Sequence, residues 1–154
     1  MERYLIFSDS HGNRETLLAQ AERIPCNGVI HLGDHESDAM WLLERTNGPV
    51  IAVRGNCDLG GTAPSVRVIT LSGLPFFITH GHTFSVKSGI EDLVSAAREH
   101  GAAVLLFGHT HVPILENRNG LLIMNPGAAR NGAYGVIEIE NGKAKGALLT
   151  DDQG

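Results

Sequence analysis

Cysteine is nearly absent from this chain of 154 residues, which carries only Cys26 and Cys57. Two thiols whose spacing gives no pairing signal cannot build the disulfide framework of a small secreted domain, so a reducing compartment is expected. Aromatic residues are also scarce, at 5%, which leaves the core to aliphatic packing. No apolar run approaches the ~20 residues that a membrane span needs. The opening Met1-Glu2-Arg3-Tyr4-Leu5-Ile6-Phe7 has neither the basic region nor the long apolar stretch of a signal peptide. A cytoplasmic protein with no membrane partner is therefore expected. Positive charge is short as well, with a formal net charge of −5. Binding nucleic acid through a general field needs many Lys and Arg contacts to phosphates, so no stable nucleic-acid complex is expected.

What remains is ordinary for a globular chain: 42% hydrophobic, 19% charged and 19 glycines. A chain of this length buries about 68–70% of its extended surface, enough for one full core. A single domain over 1–150 is expected. Asp151 to Gly154 carries nothing to bury and should fray.

Several short apolar runs read as strands covered on both faces. Tyr4 to Phe7 is the first, and Asn13 can then cap a helix to about Arg23, ended by Pro25. Gly28 to Leu32 follows, then a helical stretch from Ser37 to about Arg45, then a third buried strand at Val50 to Val53. Val66 to Leu71 and Pro75 to Thr79 read as strands joined at Ser72-Gly73. Ser88-Gly89-Ile90-Glu91 fits a capping box, opening a helix that Gly101 closes. Val104 to Phe107 is a further buried strand. Beyond it, Asn119-Gly120 and Asn141-Gly142 are hairpin signals, and the C-terminal third reads as an antiparallel meander.

The apolar runs end in chemistry. Val104-Leu105-Leu106-Phe107 stops at Gly108 and hands over to His109-Thr110-His111, and residues i and i+2 of an extended chain point to one side. The pattern repeats: one run ends at Asp9 and His11, others at Asp34, Asn56 and His80. In open α/β sheets, ligands sit beyond the carboxyl ends of the strands, which would gather these residues from distant positions. Gly33, Gly55, Gly81 and Gly108 beside them suit sharp turns or close approach to an ion. This all-nitrogen-and-oxygen set exceeds one tetrahedral zinc and suits two ions in five- or six-fold coordination. Asp34 is the natural bridge, since its two oxygens and negative charge can serve both cations. Two divalent ions against two carboxylates leave the site cationic, suited to an anion and a hydroxide.

The order Asp9-x-His11, Gly33-Asp34, Gly55-Asn56, His80-Gly81 and Gly108-His109-x-His111 closely resembles the calcineurin-like metallophosphoesterase superfamily. Asn125-Pro126-Gly127 looks like its small, cap-less YfcE-type phosphodiesterase branch. The resemblance covers nearly the whole chain and implies a four-layer α/β/β/α sandwich of two facing mixed sheets flanked by helices. It implies that Asp9, His11, Asp34 and His111 hold one divalent ion, and Asp34, Asn56, His80 and His109 a second. Mn2+ is the ion expected first, with Fe, Ni, Co or Zn as the other candidates. The implied activity is hydrolysis of a small phosphoester, a diester ahead of a monoester, by a metal-bridging hydroxide attacking phosphorus. With no cap, specificity would be loose or supplied by a neighbour in a homo-oligomer.

Two positions depart from the family. Cys57 stands where many members carry a histidine that assists the leaving group, and Ala128 stands where the branch commonly has a serine near the substrate mouth. His82 is a candidate catalytic residue, and His35, Arg54 and Cys57 are candidate substrate contacts. Blander readings stand beside these: Cys57 as a small buried filler, Arg54 and Arg130 as solvated surface, Asp58 as a group orienting a ligand histidine or only the end of a turn. His31 reads as a satisfied sheet residue, and His100 as a charge favourable to a helix C-terminus. Two other functions compete with hydrolysis of a small ester. One is a protein-interaction scaffold, since a retromer subunit shares this fold with a degraded metal site; the other is nuclease action, disfavoured by the acidic balance.

Overall fold

The computed structural model describes residues 1–151. Alternation along the strands explains the architecture. In β1 (Glu2–Phe7), Tyr4 and Ile6 face one side while Leu5 and Phe7 face the other, and all four are buried. A strand buried on both faces reads as an unbroken apolar run, and it needs a layer above and a layer below.

Those layers are present. One sheet has the order β10-β9-β1-β2-β3, built from β1, β2 (Gly28–His31), β3 (Val50–Ala52), β9 (Ala133–Glu140) and β10 (Lys143–Thr150). The other has the order β4-β5-β6-β8-β7, from β4 (Val66–Leu71), β5 (Leu74–Thr79), β6 (Val104–Leu106), β7 (Ile114–Arg118) and β8 (Leu121–Asn125). Both mix parallel and antiparallel pairs. Tyr4, Ile6, Ile30 and Leu32 meet Phe76, Ile78, Leu106 and Met124 between the sheets. The far face of the first sheet packs Leu5, Phe7 and Val136 on Leu17 and Leu42 of helices α1 (Arg14–Arg23) and α2 (Glu36–Leu43). The far face of the second packs Phe77, Leu105 and Ile123 on Leu93, Val94 and Ala97 of α3 (Glu91–Glu99). This is the expected α/β/β/α sandwich. Among the described residues no helix is long and apolar enough to cross a membrane.

Several local expectations need correction. The C-terminal third is not one meander: β7 and β8 join the second sheet, where β8 also pairs in parallel with β6, whereas β9 and β10 join the first. The capping box at Ser88 does not form. Ser88 belongs to a single turn, Val86–Ser88, the chain swings through Gly89 at φ +132°, and α3 starts at Glu91 with no side-chain cap. β3 is partly rather than fully buried, because it is an edge strand. Asn13 precedes α1 but makes no cap bond to the backbone; its carbonyl accepts the Thr16 hydroxyl at 3.0 Å instead. The hairpin signals hold, with Asn119-Gly120 and Asn141-Gly142 both at positive φ as a type I′ turn requires. Of the tail, Asp151 donates its amide to Gly132 at 2.8 Å, and 152–154 lie outside the described residues.

Candidate metal centre

Five strands run their carboxyl ends to one edge of the sandwich: β1, β2 and β3 from the first sheet, β5 and β6 from the second. Just beyond them lie Asp9 and His11, Asp34, Asn56, His80, and His109 with His111. The turns are tight. Asp9, His11, Asp34, His35, His109 and His111 all have φ between +45° and +85°, a left-handed conformation that costs a non-glycine residue roughly 1–3 kcal/mol.

Two clusters of ligand atoms result. Asp9, His11 and His111 converge in one, and Asp34, His80 and His109 in the other, each with its atoms within 4.8 Å of one another. Asn56 joins the second, its Oδ1 lying 3.0 Å from His80 Nε2. Each aspartate splits its duties. Asp9 Oδ2 accepts from the Ser8 hydroxyl at 2.6 Å and the His109 amide at 3.2 Å, leaving Oδ1 3.2 Å from His111 Nε2. Asp34 Oδ1 accepts the Cys57 amide at 2.8 Å, leaving Oδ2 3.4 Å from His80 Nε2 and 3.9 Å from His11 Nε2.

The imidazoles are aimed inward from behind. His80 Nδ1 sits 2.8 Å from the Leu32 carbonyl, which can only accept, so the ring proton is on Nδ1 and Nε2 faces the cluster. Burial disfavours the charged form of His80, but the Asp34 bond and the charges of Asp9 and Asp34 outweigh it and raise the pKa. Burial and the neighbouring His80 lower the pKa of His109 and of His82. Burial also pushes the Asp34 carboxyl upward, yet bonds from His80 and the Cys57 amide prevail and hold it well below the usual carboxylate range. His11 Nε2 is buried with no hydrogen-bond partner among the described residues, 4.0 Å from Asp9 Oδ1 and 3.9 Å from Asp34 Oδ2. That is too far for a hydrogen bond, but it suits an ion held at about 2.0–2.2 Å by each ligand. The residues present therefore fit divalent ions.

Close backbone approach shapes the centre. A Cβ on Gly55 would overlap Asp34 Oδ1, so a glycine is required there for steric reasons alone.

The other expected residues fall nearby in unequal ways. The ring of His82 is 5.6 Å from that of His80, and its Nδ1 is buried without a hydrogen-bond partner among the described residues. The ring of His35 is 6.1 Å from that of His11, with Nδ1 3.5 Å from Asp38 Oδ1. Arg54 is exposed, close enough to His82 to act on its charge. Cys57 is exposed, not a buried filler: its amide serves Asp34 and its thiol lies 3.6 Å from Asn56 Nδ2. Partial burial and the charges of Asp34, Asp58 and Asp9 raise the thiol pKa. Ala128 is buried, so that departure lies inside the fold rather than at a mouth. His100 bonds the Ala96 carbonyl through Nδ1 at the end of α3.

Three supporting residues were not assigned these roles by sequence. Asp58 accepts four backbone amides at 2.7–2.9 Å, from Asp34 and Gly55 on one oxygen and His35 and Glu36 on the other. Asn125 donates to the Gly108 carbonyl and the Thr110 hydroxyl, pinning the loop between His109 and His111. Asp38 accepts from the Gly12 amide and the Ser10 hydroxyl, the latter at 2.7 Å.

Ser10 also meets His31, which is satisfied as expected. The Gly33 amide donates to His31 Nδ1, so Nε2 carries the proton and donates to Ser10 Oγ at 2.8 Å. Burial lowers the His31 pKa to about 4 despite Asp38, Asp58 and Asp9. In the unfolded chain the ring protonates near 6.5, so acid favours unfolding. Stability contributed by neutral His31 is complete above about pH 6.5 and is lost toward pH 4, at up to about 1.4 kcal/mol per pH unit. Urea midpoints measured across this window should fall more steeply in wild type than in His31→Gln.

A four-layer sandwich with two clusters of carboxylate and imidazole ligands at the carboxyl ends of its strands is a candidate metalloprotein of the α/β class. Residues 3–142 match the calcineurin-like phosphoesterase superfamily domain, and the chain belongs to that family. The Bacillus subtilis protein named "probable metallophosphoesterase YsnB" is 34% identical over 149 residues, 91% of this chain and 86% of its own. Phosphodiesterase YfcE of Escherichia coli is 40% identical over 104 residues, covering 58% of this chain and 52% of its own. Vacuolar protein sorting-associated protein 29 of Schizosaccharomyces pombe is 32% identical over 129 residues, 82% of this chain and 68% of its own. The crystal structure of a conserved uncharacterized protein of Streptococcus pneumoniae TIGR4 superposes with a TM-score of 0.83 at 29% identity, covering 98% of this chain and 90% of that one.

Proposed function

We propose that this protein is a phosphodiesterase with a centre for two divalent ions, Mn2+ first among them. One cluster, Asp9, His11 and His111, would hold the first ion and the other, His80, His109 and Asn56, the second, with Asp34 as the residue that would serve both. The observation that carries the reading is His11 Nε2, buried and without a hydrogen-bond partner among the described residues, facing the free oxygens of both aspartates at 3.9–4.0 Å. Bound divalent ions supply a nucleophile from water and neutralise charge on phosphoryl oxygens.

The remaining work falls to the chain. Arg54, exposed beside His82, attracts the anionic ester. A thiol at Cys57 is a poor substitute for an imidazole as donor to a departing alkoxide, and aryl diesters, whose leaving groups are stable as anions, are the expected substrates. Both cysteines are free, in keeping with a reducing, cytoplasmic setting.

The resemblance to vacuolar protein sorting-associated protein 29 supports a second reading, a protein-interaction scaffold. Assay of an aryl phosphodiester with and without Mn2+ separates the two. Turnover that requires the ion and stops with a chelator is expected; protein inert under both conditions is a scaffold.

A further inference from the structure

A cleft of about 320 Å3 opens beside the proposed centre, between the start of α2 and the loop after Asn56. His35, Glu36 and Ser37 line one side, and Cys57, Leu59 and Gly60 the other. Two of its lining residues adjoin the proposed bridging residue, since the Cys57 amide donates to Asp34 Oδ1 and His35 follows Asp34 in the chain. Its walls are tied together. Asp58, also in the lining, binds amides of Asp34, His35 and Glu36 on one side and Gly55 on the other. Glu36 in turn accepts the Thr62 and Ala63 amides.

The lining contains two carboxylates and no lysine or arginine. The cations that act on the site do so elsewhere, Arg54 at His82 and Lys87 at His109. Leu59 is 94% exposed, and a Cβ on Gly60 would meet nothing within 4 Å, so the mouth is open beside an apolar side chain. A single exposed leucine is common on protein surfaces. This one stands on a loop clamped at Asp58. The His35 ring, half exposed, also lines the cleft.

We infer that this cleft receives the ester substituent next to the scissile phosphate, taking an uncharged flat ring and rejecting a group that carries its own phosphate or carboxylate. The inference rests on the phosphodiesterase reading. Two methyl nitrophenyl phosphates, one with a carboxamide and one with a carboxylate at the same ring position, test it on Mn2+-loaded protein. After division by the uncatalysed rates, kcat/KM should favour the carboxamide by about tenfold at low salt, narrowing as salt screens the carboxylates. Leu59→Lys should bring the ratio near parity, and Leu59→Ala should raise KM for the carboxamide ester about threefold with kcat little changed. At 94% exposure, neither substitution disturbs the core. Hydrolysis of both esters without discrimination, or a ratio untouched by Leu59→Lys, overturns the cleft assignment alone. Hydrolysis of neither overturns the phosphodiesterase reading and this inference with it.

Discussion

Asp34→Asn is expected to lower phosphodiester turnover by about a thousandfold with the fold intact. The substitution separates shape from charge. An asparagine oxygen can still accept the Cys57 amide at the place where Asp34 Oδ1 now does so, so the loop keeps its anchor. What disappears is one negative charge facing His80 and His11 at 3.4 and 3.9 Å. Two unit charges 4 Å apart at an effective dielectric of about 20 interact by about 4 kcal/mol, and that amount of lost transition-state stabilisation corresponds to roughly a thousandfold in rate. His11→Gln removes a ligand from one cluster only and should cost less. Turnover, metal content and circular dichroism of both variants check this. Asp34→Asn protein that keeps two ions and turnover within tenfold of wild type would show that Asp34 does not bridge.

Asp58→Ala should cost about 3–5 kcal/mol of stability and weaken metal binding by about 10–100-fold. No substrate needs to touch Asp58 for this. Its carboxylate is the shared acceptor for amides of Asp34, His35, Glu36 and Gly55. Burial works against its charge, but those amides prevail and lower its pKa. Asp34 and His35 stand at φ +59° and +85°, and these bonds hold them there. Asp58→Asn is no conservative replacement, because its amide nitrogen would face two N–H donors. Urea unfolding and metal titration of both variants test the clamp; wild-type metal affinity in Asp58→Ala would reduce Asp58 to the end of a turn.

The strands that carry the ligands were legible because burial on both faces leaves an uninterrupted apolar run, and each run stops where its polar residue begins. The hairpins were legible because Asn-Gly adopts two successive positive φ angles cheaply. Such turn signals report what pairs across the turn and nothing about which sheet the hairpin joins, so β7–β8 and β9–β10 could not be assigned to different sheets. Ser88 and Glu91 had the right spacing for a capping box, but Gly89 reorients the chain between them and Glu91 meets Arg118 at 3.3 Å instead. The role of Asp58 was hidden for a related reason. A side chain that binds only backbone amides leaves no complementary residue type to find. The exposure of Cys57 depends on a loop whose course is set by Asp58 and Gly55, not by the hydropathy of the thiol.

Each ligand cluster draws on both sheets: Asp9 and His11 follow β1 while His111 follows β6, and Asp34 follows β2 while His80 and His109 follow β5 and β6. An ion in either candidate cluster would therefore cross-link the two halves of the sandwich, and resistance to heat would become a function of free metal concentration. At a hundred times its dissociation constant, one ion adds about 2.7 kcal/mol to the folded state. The unfolding temperature should climb with added Mn2+ even when no ester is present, and the separation of β1–β2 from β5–β6 should become the step that chelation accelerates.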